Sequence, residues 1–262
     1  MRKNTLLIAA HGGTPQWNKL VESLAVNAAG LNDDNFDIVF SFLEKKPLIS
    51  DSVIALDKKG SRNILCLPLF ITDSKHLIND IPYELGLIYS GCKDMPPQFR
   101  LGANVTLGPH FGLSNEIKDI FLDRVKELST DPDYEALIIL MHGSARYSYS
   151  WNETASSLGG HVIKHTGLKE YKPAFLKTSA FGPERLYKLF NSFGKDIRRI
   201  ICVSAYMGRS AKELIGGEIP YIEELSMFSY GDFPEVVLSE KALLPDDRAA
   251  YWLINRAKEF FG

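Results

Sequence analysis

An internal repeat constrains the fold of this chain more than any other feature of its sequence. The segment Leu6–Gly13 returns as Leu137–Ser144, so a His-Gly pair follows an apolar run in each half of the chain. Further matches follow in the same order: Trp17-Asn18 with Trp151-Asn152, Asn63–Leu67 with Arg199–Val203, Asp80–Pro82 with Glu218–Pro220, and Val105–Leu107 with Val236–Leu238. Their offsets drift by a few residues, as small loop insertions would produce. We therefore predict two homologous lobes, residues 1–130 and 131–262, joined at the polar stretch 129–133.

Each half alternates apolar runs of strand length with segments of helical periodicity. In the first half, strands are predicted over 5–10, 36–43, 63–70 and 100–108, and helices over 16–30, 48–59, 78–90 and 115–128. Strands that alternate with helices form parallel sheets with helices on both faces. The predicted fold is therefore α/β, with two tandem Rossmann-like lobes, each built on a four-stranded parallel sheet.

Three residues able to bind metals are predicted at the carboxyl ends of first-half strands. His11 follows the first strand, Glu44 follows the second, and His76 lies in the loop after the third. Parallel sheets bind ligands at this edge, where loops from different strands converge. Imidazole and carboxylate groups suit divalent transition metals, and both groups can accept protons. Because two or three protein ligands leave coordination positions open, the pattern indicates a metal-transfer or catalytic site.

Composition and missing motifs exclude several other classes of function. Thirty Lys and Arg residues against 32 Asp and Glu residues give a net charge of −2, so no overall field attracts nucleic acid or a membrane. The apolar run 5–10 is too short for a signal peptide or a membrane span. No glycine-rich phosphate-binding motif follows the first strand, so no nucleotide is expected. The three cysteines, at 66, 92 and 202, are odd in number and widely spaced, which favours buried thiols in a reducing cytoplasm.

Taken together, these motifs resemble the class II chelatases of tetrapyrrole metabolism, above all the sirohydrochlorin cobaltochelatases and ferrochelatases. The likeness covers both halves and is carried by 6–13, 42–44 with Pro47, 67–70 with His76, 80–82 and 107–110. The resemblance implies two chelatase-like lobes around a small tetrapyrrole, with cobalt or iron as a divalent metal substrate and insertion independent of ATP. It also implies that His11, His76 and Glu44 bind the metal and take up the pyrrole protons.

The second half departs from this pattern, so we expect the first lobe to carry the working site. It keeps His142, but aligning Pro47 with Pro183 puts Ala180 at the position of Glu44. Glu213 falls where His76 stands in the first half. A His142–Glu213 pair resembles the arrangement in protoporphyrin ferrochelatases, which leaves an active second lobe open. A further departure is Gly13, where the family has serine after His-Gly.

Cationic residues in the strand-end loops are candidates for binding substrate carboxylates. They are Lys75, Arg146 and Arg209, and Arg146 opens an aromatic-rich segment, 146–151. Two alternative functions remain: a chelatase for another metal and tetrapyrrole, or a non-catalytic carrier of tetrapyrrole or metal. A pair of periplasmic-type binding lobes agrees less well with the His-Gly repeats. Because one chain already supplies both lobes, we expect a monomer or a weak homodimer.

Overall fold

The computed structural model describes residues 4–33, 36–87, 99–177, 182–226 and 233–262. These residues form two parallel four-stranded sheets, which confirms the predicted fold class. The strands of the first sheet are β1 (Asn4–Ala10), β2 (Asp37–Phe42), β3 (Asn63–Pro68) and β4 (Asn104–Leu107), in the order β2-β1-β3-β4. Those of the second are β5 (Glu135–Met141), β6 (Glu170–Phe175), β7 (Arg199–Ser204) and β8 (Glu235–Leu238), in the order β6-β5-β7-β8. The sequence repeat is thus a repeat of topology.

Helices follow the strands, as the alternating pattern predicts. They are α1 (Pro15–Gly30), α2 (Ile49–Lys58), α3 (Ile81–Glu84), α4 (Asn115–Lys126), α5 (Ser148–Thr166), α6 (Pro183–Phe190), α7 (Ala211–Ile215), α8 (Ile219–Ser226) and α9 (Asp247–Phe261). At the start of α1, the Thr14 hydroxyl accepts the N–H of Trp17, and Pro15 occupies a position that needs no N–H donor. A π-helical turn, His76–Asp80, precedes α3, so helical structure after β3 begins before residue 78. It ends at Glu84, and residues 88–90 of the predicted helix lie outside the described residues.

Both faces of the central strands are covered. In β1, Leu7 and Ala9 belong to the same buried cluster as Ile49 and Val53 of α2. Alternate residues of the strand, such as Ile8, point the opposite way and are equally inaccessible. A strand buried on both faces is apolar at every position, which explains the uninterrupted apolar runs.

The compact units divide the chain differently from the sequence repeat. One unit contains residues 1–114 and 245–262, and the other contains 115–244. Helix α9 packs against α1 in the first unit, where the Trp252 ring lies 5.0 Å from the Phe111 ring. Helix α4 packs against α5 in the second unit. The stretch 129–133 therefore separates the two sheets along the chain, but each unit is completed by the last helix of the other repeat.

Across the described part of the chain, no helix combines the length and apolar character needed to cross a lipid bilayer.

Candidate metal centre

Backbone hydrogen bonds beyond the ends of β1 and β2 position the first two site residues. The Glu44 N–H donates to the carbonyl of His11 over 3.0 Å, which continues the pairing of the two strands by one residue. Gly12 follows with a φ of +83°, and a Cβ there would lie 3.0 Å from atoms of Phe42 and Lys45. Glycine is therefore required both by the left-handed backbone and by the close approach of the segment after β2.

The π-helical turn after β3 positions the third site residue. His76 opens this turn, and its carbonyl accepts the N–H of Ile81. The turn brings His76 Nδ1 to 2.7 Å from Asp80 Oδ2, and Lys75 Nζ lies 3.7 Å from the other oxygen of that carboxylate. Asp80 is only 18% exposed, so it is held more firmly than a surface carboxylate. Because β1 and β3 are adjacent, both histidines reach the same edge of the sheet.

The three residues form one cluster, as the sequence analysis anticipated. The rings of His11 and His76 have centroids 4.7 Å apart, with planes inclined at 76°. One potential ligand atom from each of His11, Glu44 and His76 can be chosen so that all three lie within 4.8 Å of one another. In the described ranges, no other group of three or more His, Cys, Asp or Glu side chains meets this criterion.

Hydrogen bonds to the Nδ1 atoms determine which nitrogen of each imidazole can bind a metal ion. His11 Nδ1 lies 2.7 Å from the Gly12 carbonyl oxygen, and His76 Nδ1 bonds the Asp80 carboxylate. Both partners are acceptors, so each Nδ1 carries the proton and each neutral ring keeps its lone pair on Nε2. Metal-binding histidines commonly donate their second N–H to such partners, which fixes the ring orientation. Both rings are therefore set to coordinate through Nε2.

The contact between His11 and Glu44 suits a bound cation. Nε2 of His11 lies 3.5 Å from Oε1 of Glu44. With the neutral ring, both atoms are acceptors, so a proton or a metal ion between them makes the contact attractive. Ligand bonds of about 2.1 Å to a tetrahedral ion place neighbouring ligand atoms about 3.4 Å apart, close to the observed separation. The two side chains are 41% and 56% exposed, which leaves the cluster open to a large ligand.

The predicted carboxylate-binding residues have different surroundings. Lys75 lies beside the cluster, where it pairs with Asp80 and is 63% exposed. The other two belong to the second unit. The Arg146 guanidinium lies 5.7 Å from the ring centroid of Tyr147, and Arg209 Nη2 donates to the Glu213 carbonyl over 3.0 Å.

The second lobe repeats the histidine but uses Glu213 differently from what the sequence suggested. His142 Nδ1 lies 2.8 Å from the Gly143 carbonyl, and Gly143 has a φ of +74°, as in the first lobe. The Glu213 carboxylate accepts the Ser210 N–H over 2.6 Å and closes a capping box at the start of α7. The hydrogen bonds from the Ser210 backbone and hydroxyl lower the pKa of Glu213. This carboxylate therefore serves as a helix cap instead of a free ligand.

Lys177 occupies the position of Glu44 in the second lobe, and the sequence analysis missed it. Its N–H donates to the His142 carbonyl over 2.8 Å, as the Glu44 N–H does to His11. Aligning the two prolines had pointed to Ala180, which lies outside the described residues. The backbone hydrogen bonds correct that alignment, because they match the two repeats at the ends of their strands and not at the prolines.

A family model matches the first half of the chain, and two named relatives match part of the chain. Residues 5–128 match the model of the CbiX family. The chain is 29% identical over 101 residues to a sirohydrochlorin ferrochelatase of Priestia megaterium, a match covering 38% of this chain and 35% of that protein. It is 28% identical over 127 residues to a sirohydrochlorin cobaltochelatase of Saccharolobus solfataricus, covering 47% of this chain and 93% of the relative. The match thus spans about a third of the first relative's length and nearly all of the second's.

Two solved structures share the fold over nearly the whole chain. SirB from Bacillus subtilis with Fe3+ superposes with a TM-score of 0.73 at 16% identity, covering 98% of this chain and 95% of that chain. CbiX, described as the terminal enzyme for biosynthesis of siroheme in denitrifying bacteria, gives a TM-score of 0.61 at 15% identity, covering 98% and 99%. At these identities, the likeness shows the fold alone.

Proposed function

We propose that the first lobe of this chain, of which residues 5–128 match the model of the CbiX family, is a chelatase lobe, and that the protein inserts divalent cobalt or iron into sirohydrochlorin or a related acidic tetrapyrrole. One observation carries the proposal: the His11, His76 and Glu44 ligand atoms converge at an open strand edge, with both imidazoles fixed to coordinate through Nε2. The relatives named as sirohydrochlorin chelatases support the choice of ring.

The proposed reaction exchanges one divalent cation for two protons. The metal ion leaves the three protein ligands and enters the ring, while the two pyrrole N–H groups each lose a proton, so charge balances without any redox step. The lone pairs on His11 and His76 that the departing metal frees are those that accept protons. The Glu44 carboxylate offsets part of the charge of whichever cation is bound. Three protein ligands leave coordination positions free for the incoming ring nitrogens.

We further propose that this exchange uses no nucleotide and proceeds in a cytoplasmic monomer or weak homodimer. Four ring nitrogens replace three protein ligands on the metal, so the transfer does not depend on ATP hydrolysis for its direction. Two lobes within one chain already supply the pairing for which a single-lobe protein would need a dimer. Sedimentation that shows an obligate tetramer would contradict the assembly state.

The test replaces each histidine and follows metal insertion by the absorbance change of the ring. We expect His11→Ala and His76→Ala each to lower kcat/KM for sirohydrochlorin by about 100-fold or more, because each loses a ligand and a proton acceptor. His165→Ala, which removes an exposed imidazole on α5, is the matched control and should retain the wild-type rate. Near-normal rates in both site variants would refute the assignment.

The same assay separates the proposed enzyme from its alternatives. The wild-type protein is given Co2+, Fe2+ or Ni2+ with one ring at a time, since donor type alone ranks these metals poorly. Turnover with a different metal and ring would identify another chelatase. Tight binding of the metal-free ring without insertion of any metal would identify a carrier and overturn the proposal.

A further inference from the structure

The carboxyl edges of the two sheets have the same backbone hydrogen bonds but carry side chains of opposite charge. The N–H of Glu44 bonds the His11 carbonyl, and the N–H of Lys177 makes the same bond to the His142 carbonyl. Both side chains are exposed. In the second lobe, an ammonium group therefore stands where the first lobe has a carboxylate ligand, and a cation at this position repels a divalent metal ion.

A second reversal follows the third strand of each sheet. Segments 69–74 and 205–210 correspond, because each begins with an N–H bonded over 2.8 Å to a carbonyl of the central strand. Each also ends at a serine whose hydroxyl accepts the N–H three residues further on, over 3.3 and 3.2 Å. Counting along these equal segments pairs Asp73 with Arg209. An aspartate in the first lobe is thus replaced by arginine in the second.

Tyr206, three residues before Arg209, lies near the histidine at this edge. The rings of His142 and Tyr206 have centroids 6.2 Å apart. Burial raises the pKa of Tyr206 to about 12, and the positive charge of Arg209 acts against this shift. One arm of Arg209 is anchored on the Glu213 carbonyl, and the carboxylate of Glu213 is engaged by Ser210. The anchored guanidinium keeps further N–H groups with which it can bind an anion.

We propose that the carboxyl edge of the second sheet recognises carboxylate groups of the substrate through Lys177 and Arg209, which replace the acidic residues Glu44 and Asp73 of the first lobe. The inference rests on the function proposed above, because an acidic tetrapyrrole brings several acetate and propionate groups to the protein. Arginine pairs with a carboxylate through two parallel hydrogen bonds, and lysine adds a point charge. Arg146, four residues after His142, adds a third cation to the same end of β5.

Charge reversal at this edge tests the proposal in the full-length protein. Lys177→Glu and Arg209→Glu should each raise KM for sirohydrochlorin about tenfold, because the new carboxylate repels the carboxylates of the substrate. The value of kcat should stay within about twofold of wild type, because neither substitution changes a metal ligand. The increase should shrink at high salt, and Lys177→Arg should retain the wild-type KM. Lys195→Glu is the matched control: it makes the same charge change at an exposed lysine before β7, at the opposite edge of the sheet.

A binding measurement separates failure of this inference from failure of the proposed function. Fluorescence quenching reports binding of metal-free uroporphyrin and of coproporphyrin, which lacks the acetate groups, with no need for turnover. Weaker binding in both reversal variants, larger for uroporphyrin, supports the inference even if no metal is inserted. Unchanged KM and binding in both variants, with wild-type circular dichroism, overturn it while leaving chelatase activity intact. An effect in only one variant overturns the proposed pair.

Discussion

Asp80 provides the most direct test of how the metal cluster is held together. Its carboxylate accepts the His76 Nδ1 proton over 2.7 Å and is shielded from solvent, so the bond fixes the ring and leaves Nε2 as the ligand atom. Losing such a partner of a metal-binding histidine costs about 10- to 100-fold in metal affinity, or about 1.4 to 2.8 kcal/mol. We expect Asp80→Ala to reach the upper end, because its methyl group offers no acceptor.

Asp80→Asn should lose about tenfold, since the amide oxygen still accepts the Nδ1 proton but carries no charge. The ratio between the two variants therefore separates orientation of the ring from the charge of the carboxylate. The assay is competition for Co2+ between the protein and a chromophoric chelator, with metal insertion rates measured beside it. A shift in both Co2+ affinity and insertion rate, with thermal stability near wild type, distinguishes positioning of His76 from general damage.

Asp73→Asn is the matched control in the same loop. Asp73 lies 3.8 Å from Nε2 of His110 and is 49% exposed, so its pairing with an imidazole is long and outside the metal cluster. The Co2+ affinity of this variant should stay within about twofold of wild type, because the carboxylate that it removes is half exposed and lies outside the metal cluster. If Asp80→Ala also stayed within twofold while His76→Ala abolished binding, the carboxylate would not be what orients the ring.

Two further predictions concern backbone and buried charge. Gly12→Ala should destabilise the fold by about 1 to 2 kcal/mol and slow metal insertion, because φ is +83° there. Gly13→Ser is the control: a Cβ at this position meets only Trp17, at 3.5 Å, so both stability and the insertion rate should stay near wild type. Glu135 is 1% exposed; burial alone would raise its pKa, but hydrogen bonds, led by the Ser129 hydroxyl, hold it below its ordinary 4.5. The carboxylate therefore stabilises the fold fully above pH 4.5, and this stabilisation is lost as pH falls through the folded pKa. In urea unfolding, Glu135→Gln should lower the free energy of unfolding by about 1 to 3 kcal/mol at neutral pH, and the difference from wild type should shrink in acid.

The sequence predicted the sheets better than the packing of their helices. Continuous apolar runs identified the central strands, because a strand covered on both faces cannot alternate with polar residues. Helical periodicity predicted α4, and the repeat implied a matching helix, α9, at the end of the second half. Periodicity specifies only which face of a helix is apolar. Each of these two helices packs in the compact unit formed mainly by the other repeat, and that choice depends on contacts between residues distant in sequence.

The three clustered residues were predictable because strand ends in a parallel sheet share an edge. Asp80 belongs to a motif that both halves of the sequence share, but its role depends on the π-helical turn, which the sequence pattern does not reveal. Lys177 was missed for another reason. The segment after the second strand differs in length between the repeats, so a proline near the start of the following helix is a poor reference point. The hydrogen bonds to the central strand show the correspondence.

The two edges show why charge can change at a strand end while the fold stays constant. Gly143 cannot accept a side chain, because φ is +74° and a Cβ would lie 2.6 Å from Phe175, and Gly12 is constrained in the same way. Glu44 and Lys177 are exposed and contribute only their backbone N–H groups to the ladder, so replacing one by the other leaves the core unaltered. After a duplication, the glycines therefore preserve the shape of both openings while the neighbouring side chains diverge in charge. A carboxylate at this position favours a divalent cation, and a lysine at the same position favours an anionic group.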